Sequence, residues 1–594
     1  MRNTSVSITN KKRLIIAFVI LCILILALCI KVGYVQIVQG DSYKKKAVAQ
    51  QTKDEVVKAR RGDITDRSGE ELAVSTIKYA VWVRPSEVRQ YKSDDKNEAA
   101  VRQTAEKLAQ ILDLDSAELE KKIRSGSGSL KIAKDQDLDV AEKIRKAGLT
   151  GVTTTEETRR YYPLGNFASQ LLGNVTDDNN GLAGLELYYN HQLKGVSGRW
   201  IRKKDVSGNS LLNGNEEYYA AKNGAALQLT IDEVIQEYAE EAIAKTRKSV
   251  HAKRVSCLVM NPETGEVLAM ASTPGYDPNN AREPRAADKE RFSRMSSGKQ
   301  LDYLNEIWRN PMICDTYEPG STFKLLTTAM ALEENKVSDD EYFECGGGLN
   351  VNGTFIKCWI NPGSHGTETL KQAVGNSCNP VFMRLAQRVG KKKFYEYLDT
   401  FGITSTTGID YPGEASAQIQ DQKDVGRIEL STMGFGQGIA VTPIQLMTAI
   451  NSFANDGMMV QPHLVKKMRG SDGRTKTIKT KKIRQTVSEE TADKILEYME
   501  YVVEKGGGKK AKIKGWRIGG KTGTAEKKTE GSSTYDARIA SFAGVAPVDD
   551  PKISILYIID EPAGEVFGGD VAAPGAKSVL QKTLQYMQVK ETDQ

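Results

Sequence analysis

Ser321 and Lys324 stand three residues apart in the stretch "EPGSTFK", just before an apolar run with the composition of a helix. Residues at positions i and i+3 of a helix lie on one face, so this spacing predicts a hydrogen bond between the two side chains. A serine hydroxyl is a weak nucleophile until a base takes its proton, and a partly desolvated lysine with a lowered pKa can do so. Alone the pair is a weak signal, because surface helices contain it by chance.

Two later stretches contain residues that suit acyl transfer: "NSCNP", with Ser377 and Asn379, and "GGKTGTA", with Lys521, Thr522, Gly523 and Thr524. Ser377 can relay a proton to a leaving amine, and the Asn379 amide can hold a substrate amide through its donor and its acceptor. Lys521 adds positive potential for a substrate carboxylate, which the two threonine hydroxyls can also bind. Glycine at 523 lets the strand approach the acyl group closely. Ser-x-x-Lys, Ser-x-Asn and Lys-Thr-Gly, in this order, form the signature of serine enzymes that bind penicillin.

The segments around these motifs predict an α+β domain. "LQLTIDEVIQEYAEEAIAKT" changes from strand to amphipathic helix, and "VSCLVMNPETGEVLAMAS" predicts two strands around a turn. The last two strand-like segments flank "VDDP" and predict an antiparallel hairpin. Thr442, Pro443 and Gln445 predict the start of a helix.

The N-terminal region predicts a membrane anchor. Leu14 to Ile30 is an uncharged stretch that follows a Lys-Lys-Arg cluster, and at about 1.5 Å per residue it can cross a bilayer core together with the next apolar residues. No cleavage site of the usual small-residue form follows it, which favours an uncleaved anchor. The basic cluster predicts a cytoplasmic N-terminus, with the rest of the chain outside the cell membrane.

Composition limits the remaining possibilities. A chain of 594 residues, 39% of them hydrophobic, should form two or three globular domains. Its net charge of +7 is mild for this length, so we expect no nucleic acid among its partners.

Along nearly its whole length the chain resembles the class B penicillin-binding proteins, which are membrane-anchored peptidoglycan D,D-transpeptidases. "RRGDITDRSGEELAVS" and "GLAGLELYYNHQLKGVSGR" are similar to that family's pedestal domain, and "EPGSTFK" and "GFGQGIAVTPIQLMTAIN" to its transpeptidase domain. The resemblance implies an elongated mixed α/β pedestal of the dimerisation type and a penicillin-binding domain that combines an antiparallel sheet with a helical cluster. The domains we predict are a cytoplasmic tail at 1–12, a single transmembrane helix at 13–35, the pedestal at 36–225 and the transpeptidase domain at 226–594.

The resemblance also implies a two-step acyl transfer. Ser321 attacks the penultimate D-Ala carbonyl of a stem peptide, with Lys324 as base and the backbone N–H groups of Ser321 and Thr524 as the oxyanion hole. An amine from a neighbouring stem then resolves the ester, whereas β-lactams leave Ser321 blocked. This chemistry needs no cofactor. Asn379 and the "KCW" and "HG" pieces of residues 357–366 resemble division and sporulation septum members.

The partners implied are stem peptides, β-lactam antibiotics, the membrane, a multi-spanning glycosyltransferase and other septal proteins. Two other functions stay open. A β-lactamase or β-lactam sensor needs a base that activates water on the acyl-enzyme, and we identify none. A non-catalytic scaffold for division or spore-envelope machinery would be expected to lose the Ser-Lys pair, which this chain keeps.

Five cysteines lie outside the anchor, an odd number that cannot pair completely as disulfides within one chain. They suggest a structural zinc site whose ligands would be Cys345, Cys358 and His365, with Cys314, Asp315 or Cys378 as the fourth. A disulfide between Cys345 and Cys358, or free thiols, are the alternatives. Cys257 lies in an apolar strand and is expected to belong to the core.

Overall fold

The computed structural model describes residues 8–44, 52–91, 93–203, 217–528, 535–564 and 567–592. By its contacts the chain divides into two units, which are Met1–Ala59 with Val196–Lys222, and Arg60–Gly195 with Asn223–Gln594. The predicted border between residues 225 and 226 therefore lies inside the second unit.

The first unit contains the apolar helix α1 (Ile8–Gly33), which continues into a π-helical turn at Tyr34–Val38. Lys11–Val38 is long and apolar enough to cross a membrane, with a mean hydropathy of 3.2 and no burial. This agrees in length and composition with the predicted anchor at 13–35. Of the predicted tail, residues 1–7 lie outside the described residues.

A small antiparallel sheet completes the first unit. Its strands, in spatial order, are β1 (Thr52–Val57), β6 (Gly198–Lys203) and β7 (Glu217–Tyr219).

The second unit begins with a mixed α/β region. Its strands are β2 (Ile64–Thr65), β3 (Glu71–Val83), β4 (Leu130–Gln136) and β5 (Val152–Tyr161). Its helices are α2 (Pro85–Val88), α3 (Asp94–Leu112), α4 (Ser116–Ser125), α5 (Leu138–Ala147), α6 (Ser169–Leu172), α7 (Gly184–Tyr188) and α8 (Asn190–Lys194). Apolar side chains of β3, α3, α4 and α5 form a core of their own, which includes Val81, Leu108, Ile123 and Ile144.

One sheet connects this region with the rest of the unit. It contains β8 (Ala226–Leu229), β18 (Val465–Arg469) and β19 (Thr475–Thr477), in the order β19-β18-β8-β2-β3-β4, with β5 also paired to β3. Beside it, the buried Glu186 carboxylate accepts from Arg61 Nε and from Arg160 Nε, each at 2.5 Å. Because both arginines are buried with it, the carboxylate compensates charges that would otherwise be very costly.

A five-stranded antiparallel sheet supports the candidate site. Its order is β10 (Val267–Thr273), β9 (Arg254–Met260), β23 (Ile553–Asp560), β22 (Tyr535–Ala546) and β21 (Gly519–Lys528), so β21 is an edge strand. The predicted hairpins at 255–273 and around "VDDP" are both confirmed by the pairings of β9 with β10 and of β22 with β23. Helices α9 (Glu233–Ser249) and α20 (Gly568–Tyr586) pack on this sheet.

A group of helices shares a larger core with the sheet. Helices α10 (Lys289–Ser293) and α11 (Ser297–Trp308) contribute to a separate small core. The helices of the larger core are α12 (Pro311–Cys314), α13 (Lys324–Glu333), α14 (Leu370–Asn376), α15 (Asn379–Val389), α16 (Lys391–Thr400), α17 (Arg427–Met433), α18 (Pro443–Phe453) and α19 (Glu489–Glu504). The predicted start of α18 is confirmed, because Thr442 Oγ1 accepts from Gln445 N while Gln445 Oε1 accepts from Thr442 N.

Short antiparallel pairs connect the helices: β11 (Tyr342–Cys345) with β14 (Gly366–Thr369), β12 (Gly348–Val351) with β13 (Thr354–Lys357), β15 (Gln418–Ile419) with β16 (Ile439–Ala440), and β17 (Met458–Val460) with β20 (Lys482–Gln485). The first two pairs form the segment between α13 and α14 that carries Cys345, Cys358 and His365.

Candidate active site

Ser321 lies in a 3-10 turn, Gly320–Thr322, directly before α13. The backbone of Gly320 has φ +53°, and a Cβ there would come 2.8 Å from the carbonyl oxygen of Thr524 on β21. Gly320 N also donates to the carbonyl of Gly436 at 3.1 Å. Only glycine fits this close approach without strain, so the turn is fixed against the edge strand on one side and a glycine-rich loop on the other.

Lys324 is completely buried, and its ammonium points towards the loop between α14 and α15. Nζ donates to Ser377 O at 2.8 Å, to Ser377 Oγ at 3.1 Å and to Asn379 Oδ1 at 2.7 Å. The expected hydrogen bond between Lys324 and Ser321 is not among the hydrogen bonds of the described residues. Ser321 lies in the tighter 3-10 turn before α13, so the α-helical i, i+3 spacing does not determine where the Ser321 side chain points.

The hydroxyl of Ser377 is where the two buried lysines meet. Lys521 Nζ donates to Ser377 Oγ at 3.0 Å, from β21, while Lys324 Nζ donates to the same atom from α13. Ser377 itself has φ +56°, an unfavourable conformation for a residue with a side chain. Such strain is typical of functional sites, where the surroundings hold the residue in place.

Burial lowers the pKa of both lysines. The pKa of Lys324 falls to about 7, because its charged form is desolvated. The pKa of Lys521 falls well below its usual value, first through desolvation and then through repulsion from Lys324. The site can therefore hold a neutral amine near neutral pH and move protons through the Ser377 hydroxyl, which can accept and donate.

The residues of the Lys-Thr-Gly motif on β21 differ in their exposure and in what they contact. Thr522 and Thr524 are partly exposed on β21, where Thr524 Oγ1 accepts from Gly568 N at 3.2 Å. A Cβ at Gly523 would collide with Ser541 Oγ and lie 3.1 Å from Pro319 O. Glycine at 523 thus lets β21 pack against β22 and the Ser321 turn. Its close approach to an acyl group stays a prediction.

Lys521 is completely buried and donates to Ser377 and to Thr522 O. Its ammonium is therefore engaged inside the protein, and contact with a substrate carboxylate stays a prediction. The Asn379 amide binds Lys324 through its oxygen and donates weakly to Lys357 O at 3.5 Å.

A cluster of three cysteines and one histidine lies beside the Ser377 loop. The ligand atoms of Cys345, Cys358, His365 and Cys378 all lie within 4.8 Å of one another. Three of these residues belong to the segment between α13 and α14, and Cys378 stands between Ser377 and Asn379. The seven cysteines are all free thiols, so the structure does not contain the disulfide that was the alternative.

Two of the three residues considered for the fourth ligand lie elsewhere. The Cys314 thiol donates to Pro412 O at 3.6 Å, and Asp315 is held by Arg254 and Arg309. These contacts hold both side chains away from the cluster, so Cys378 is the remaining candidate for the fourth ligand. Cys257 is buried in β9, as expected of a core residue.

Comparisons with known proteins identify the family of this chain. Residues 255–581 match the family model of the penicillin binding protein transpeptidase domain, and residues 56–229 that of the penicillin-binding protein dimerisation domain. The chain belongs to the class B penicillin-binding proteins.

Among its relatives, stage V sporulation protein D of Bacillus subtilis is 34% identical, over 98% of this chain and 87% of the relative. The peptidoglycan D,D-transpeptidase FtsI of Escherichia coli is 30% identical, over 96% and 92% of the two chains. The crystal structure of penicillin binding protein 2X from Streptococcus thermophilus superposes with a TM-score of 0.73 at 25% identity, covering 90% of this chain and 80% of that one.

Two aromatic residues lie near the motifs, and the sequence predicted no role at the site for either. Trp359 is about half exposed, its ring lies 6.1 Å from that of Phe567, and its Nε1 donates to Asn376 O at 3.0 Å. Trp359 follows Cys358 directly, so its position beside a candidate metal ligand was the signal available in the sequence. Phe567 gave no comparable signal, because only the fold brings it to β21.

The lowered pKa of Lys324 predicts how acylation of this penicillin-binding protein depends on pH. A base must be neutral, and an amine whose pKa is lowered to about 7 is mostly neutral only above that pH. The rate of acylation by a fluorescent penicillin should therefore rise about tenfold per pH unit below pH 7 and level off above it. Lys324→Arg, which stays protonated, should lose on the order of a thousandfold or more of the rate. Stopped-flow labelling across the pH range checks both; a flat profile would exclude Lys324 as the base.

Proposed function

We propose that this chain is a peptidoglycan D,D-transpeptidase of septal or spore cell-wall synthesis whose nucleophile is Ser321. The observation that carries the proposal is that Lys324 and Lys521 both donate to the Ser377 hydroxyl. Lys324 follows Ser321 by three residues in the chain. The Ser377 hydroxyl thus joins all three motifs in one proton-transfer network. The name of the Escherichia coli relative, a peptidoglycan D,D-transpeptidase, supports the assignment.

In the first step, Ser321 Oγ attacks the carbonyl carbon of the penultimate D-Ala of a stem peptide. Neutral Lys324 receives the hydroxyl proton, the new C–O ester bond forms, and the C–N bond to the last D-Ala breaks. Ser377 donates its proton to the leaving amine and takes one from a neighbouring lysine ammonium. Free D-Ala leaves, and the acyl group stays on Ser321.

In the second step, the amine of a neighbouring stem attacks the ester carbonyl. A new amide bond forms, the C–O bond to Ser321 breaks, and the proton lost by the amine returns through the lysines to Ser321 Oγ. A β-lactam follows the first step only, because its ring opens and no leaving group departs.

The backbone N–H groups of Ser321 and Thr524 would stabilise the oxyanion in both steps. The close approach of Gly320 to the Thr524 carbonyl supports this role, since it holds the two segments together. The hydroxyls of Thr522 and Thr524 would bind the terminal carboxylate of the substrate.

Covalent labelling tests the nucleophile. Full-length protein in detergent should form a stable adduct of one penicillin, whereas Ser321→Ala should form none while keeping its thermal unfolding midpoint. Intact mass spectrometry measures both results. An adduct of the same size on Ser321→Ala would refute the assignment of the nucleophile. Fast turnover of penicillin would favour the β-lactamase alternative, and no adduct on the folded wild type would favour the scaffold.

We also propose that Cys345, Cys358, His365 and Cys378 bind one structural zinc ion. Zinc–sulfur and zinc–nitrogen bonds of ordinary length in a tetrahedron place sulfur and nitrogen roughly 3.6 Å apart. His365 Nδ1 lies 3.6 Å from Cys345 Sγ and 3.7 Å from Cys358 Sγ, so the residues fit the ion. Three sulfurs and one imidazole also suit a closed site that leaves no position for substrate.

Zinc in this position would brace the loop that carries Ser377 and Asn379, because Cys378 lies between them. The ion would take no part in the acyl transfer. Its contribution would be to hold the strained backbone of Ser377 where both lysines reach its hydroxyl.

Metal analysis tests the proposal. Protein purified without chelator should contain about one equivalent of zinc, and Cys345→Ser should lose most of it and unfold at a lower temperature. Cys257→Ser is the matched control, since this buried thiol lies outside the cluster and should keep the metal. A zinc content below about a tenth of an equivalent in the wild type would refute the site.

We propose further that the chain is a single-pass membrane protein with a cytoplasmic N-terminus. Lys11, Lys12 and Arg13 before the apolar stretch support this orientation. Residues 36–225 would bind a multi-spanning glycosyltransferase and other septal proteins, and residues 226–594 would form the catalytic domain.

Co-purification tests the role of the pedestal. A chain that lacks residues 60–195 but keeps its anchor should recover much less glycosyltransferase than the full chain recovers. Ser321→Ala in the full chain is the control and should recover the normal amount. Full recovery by the shortened chain would assign the contact to the anchor instead.

A further inference from the structure

The edge strand β21 continues past the catalytic motif in the direction that a bound peptide would take. Side chains alternate along a strand, so Thr522, Thr524 and Glu526 lie on one face, with Glu526 about 7 Å beyond Thr524. On the proposed function, on which this inference rests, the terminal carboxylate binds the two threonines and the scissile carbonyl meets Thr524 N–H. The residue that precedes the acylated D-Ala then lies beside Glu526.

A groove of about 610 Å³ opens at this end of the strand. Tyr317 and Glu318, which come just before the Ser321 turn, form one wall, and Glu526 and Lys527 form another. Residues of β9, β22 and β23 also line the groove, on the face of the sheet that carries Ala525, and Glu526 lines it from the edge strand. The groove is thus adjacent in the chain to both the nucleophile and the Lys-Thr-Gly motif, and its volume accommodates an amino-acid side chain.

The charges in the groove are unevenly paired. Each lysine and arginine that lines it forms an ion pair: Lys253 with Glu561, Arg254 and Arg309 with Asp315, and Lys527 with Asp560. Neither Glu318 nor Glu526 has a cation partner among the described residues. Arg538 stands opposite Glu526 on β22 but lies over the Phe567 ring, 5.9 Å from its centroid.

The wall nearest the nucleophile is polar and desolvated. Glu318 is half-buried, and among the described residues its carboxylate accepts from Gly438 N alone, at 3.1 Å. Burial raises its pKa, and the negative charge of Glu526 raises it further. The Tyr317 hydroxyl is buried and has no hydrogen-bond partner in the described part of the chain. Of the residues that the structure describes, carboxylates without an ion-pair partner, Glu318 and Glu526 among them, and an unsatisfied hydroxyl line a groove that can receive hydrogen-bond donors and positive charge.

We propose that Glu526 and Glu318 form a subsite for a primary ammonium on the side chain of the donor-peptide residue that precedes D-Ala–D-Ala. An ammonium group would be the cationic partner that both carboxylates lack. It also has three N–H donors, which the carboxylates and the Tyr317 hydroxyl can accept. Glu526 is exposed and meets the ammonium first, whereas Glu318 lies closer to the nucleophile. The pair thus selects donor peptides with an unblocked diamino acid at this position.

Synthetic donors test the subsite. The probes are two depsipeptides, Nα-acetyl-lysyl-D-alanyl-D-lactate and its Nε-acetylated form, which differ only in the side-chain charge. The wild type should be acylated by the free-amine form about tenfold more efficiently in kcat/KM. Glu526→Gln should reduce this ratio to about two, and Glu318→Gln with Glu526→Gln to about one. Because the attraction is electrostatic, the preference of the wild type should also weaken at high salt.

Controls distinguish loss of the subsite from unfolding of the variant and from failure of the proposed function. Asp550→Asn removes an exposed carboxylate at the opposite end of β22 and β23 and should keep the wild-type ratio. Each variant should keep its thermal unfolding midpoint. A ratio near one in the wild type, or an unchanged ratio in the double variant, would overturn the subsite while leaving the transpeptidase intact. No penicillin adduct on the wild type would overturn the proposed function itself.

Discussion

The site depends on two buried lysine side chains that donate to one serine hydroxyl. Lys324 and Lys521 lie 53 and 144 residues from Ser377 along the chain, so α13, the loop before α15 and β21 must all reach one point. Two full positive charges this close in a dry interior would repel strongly. The lowered pKa values of both groups relieve that repulsion, and the resulting neutral amine is also what a base requires.

Holding three segments together needs close backbone contacts as well as hydrogen bonds. Gly320 and Gly523 supply them, because a side chain at either position would push the Ser321 turn away from β21. On the opposite side the Ser377 loop takes a strained conformation, which requires support from its surroundings. The cluster around Cys378 lies where that support is needed, since it ties the loop to the segment between α13 and α14. The catalytic geometry thus rests on packing from two directions.

Much of this could be predicted from the sequence, because the signals are local. The three motifs, the two hairpins and the start of α18 each depend on residues a few positions apart, and the family resemblance added the fold class. Other features depend on long-range placement. The choice of Cys378 over Cys314 and Asp315 follows from how α12 and α15 are positioned in space. The Lys324 ammonium donates to Ser377 and Asn379, so its direction depends on where the loop before α15 lies, and the spacing from Ser321 does not predict it.

The contacts of Lys521 also could not be predicted from the sequence. They show that the two faces of β21 have different roles. A lysine in a Lys-Thr-Gly motif suggests a contact with substrate, yet this ammonium is buried and donates to Ser377 and to the Thr522 carbonyl. Thr522 and Thr524, in contrast, are partly exposed. Alternation along the strand explains the difference: residues on the face of Lys521 and Gly523 serve the protein, and those on the face of Thr522 and Thr524 are available to a ligand. Glu526 belongs to the second face. Selectivity for the donor can therefore change at its position without disturbing the buried network that carries out the acyl transfer.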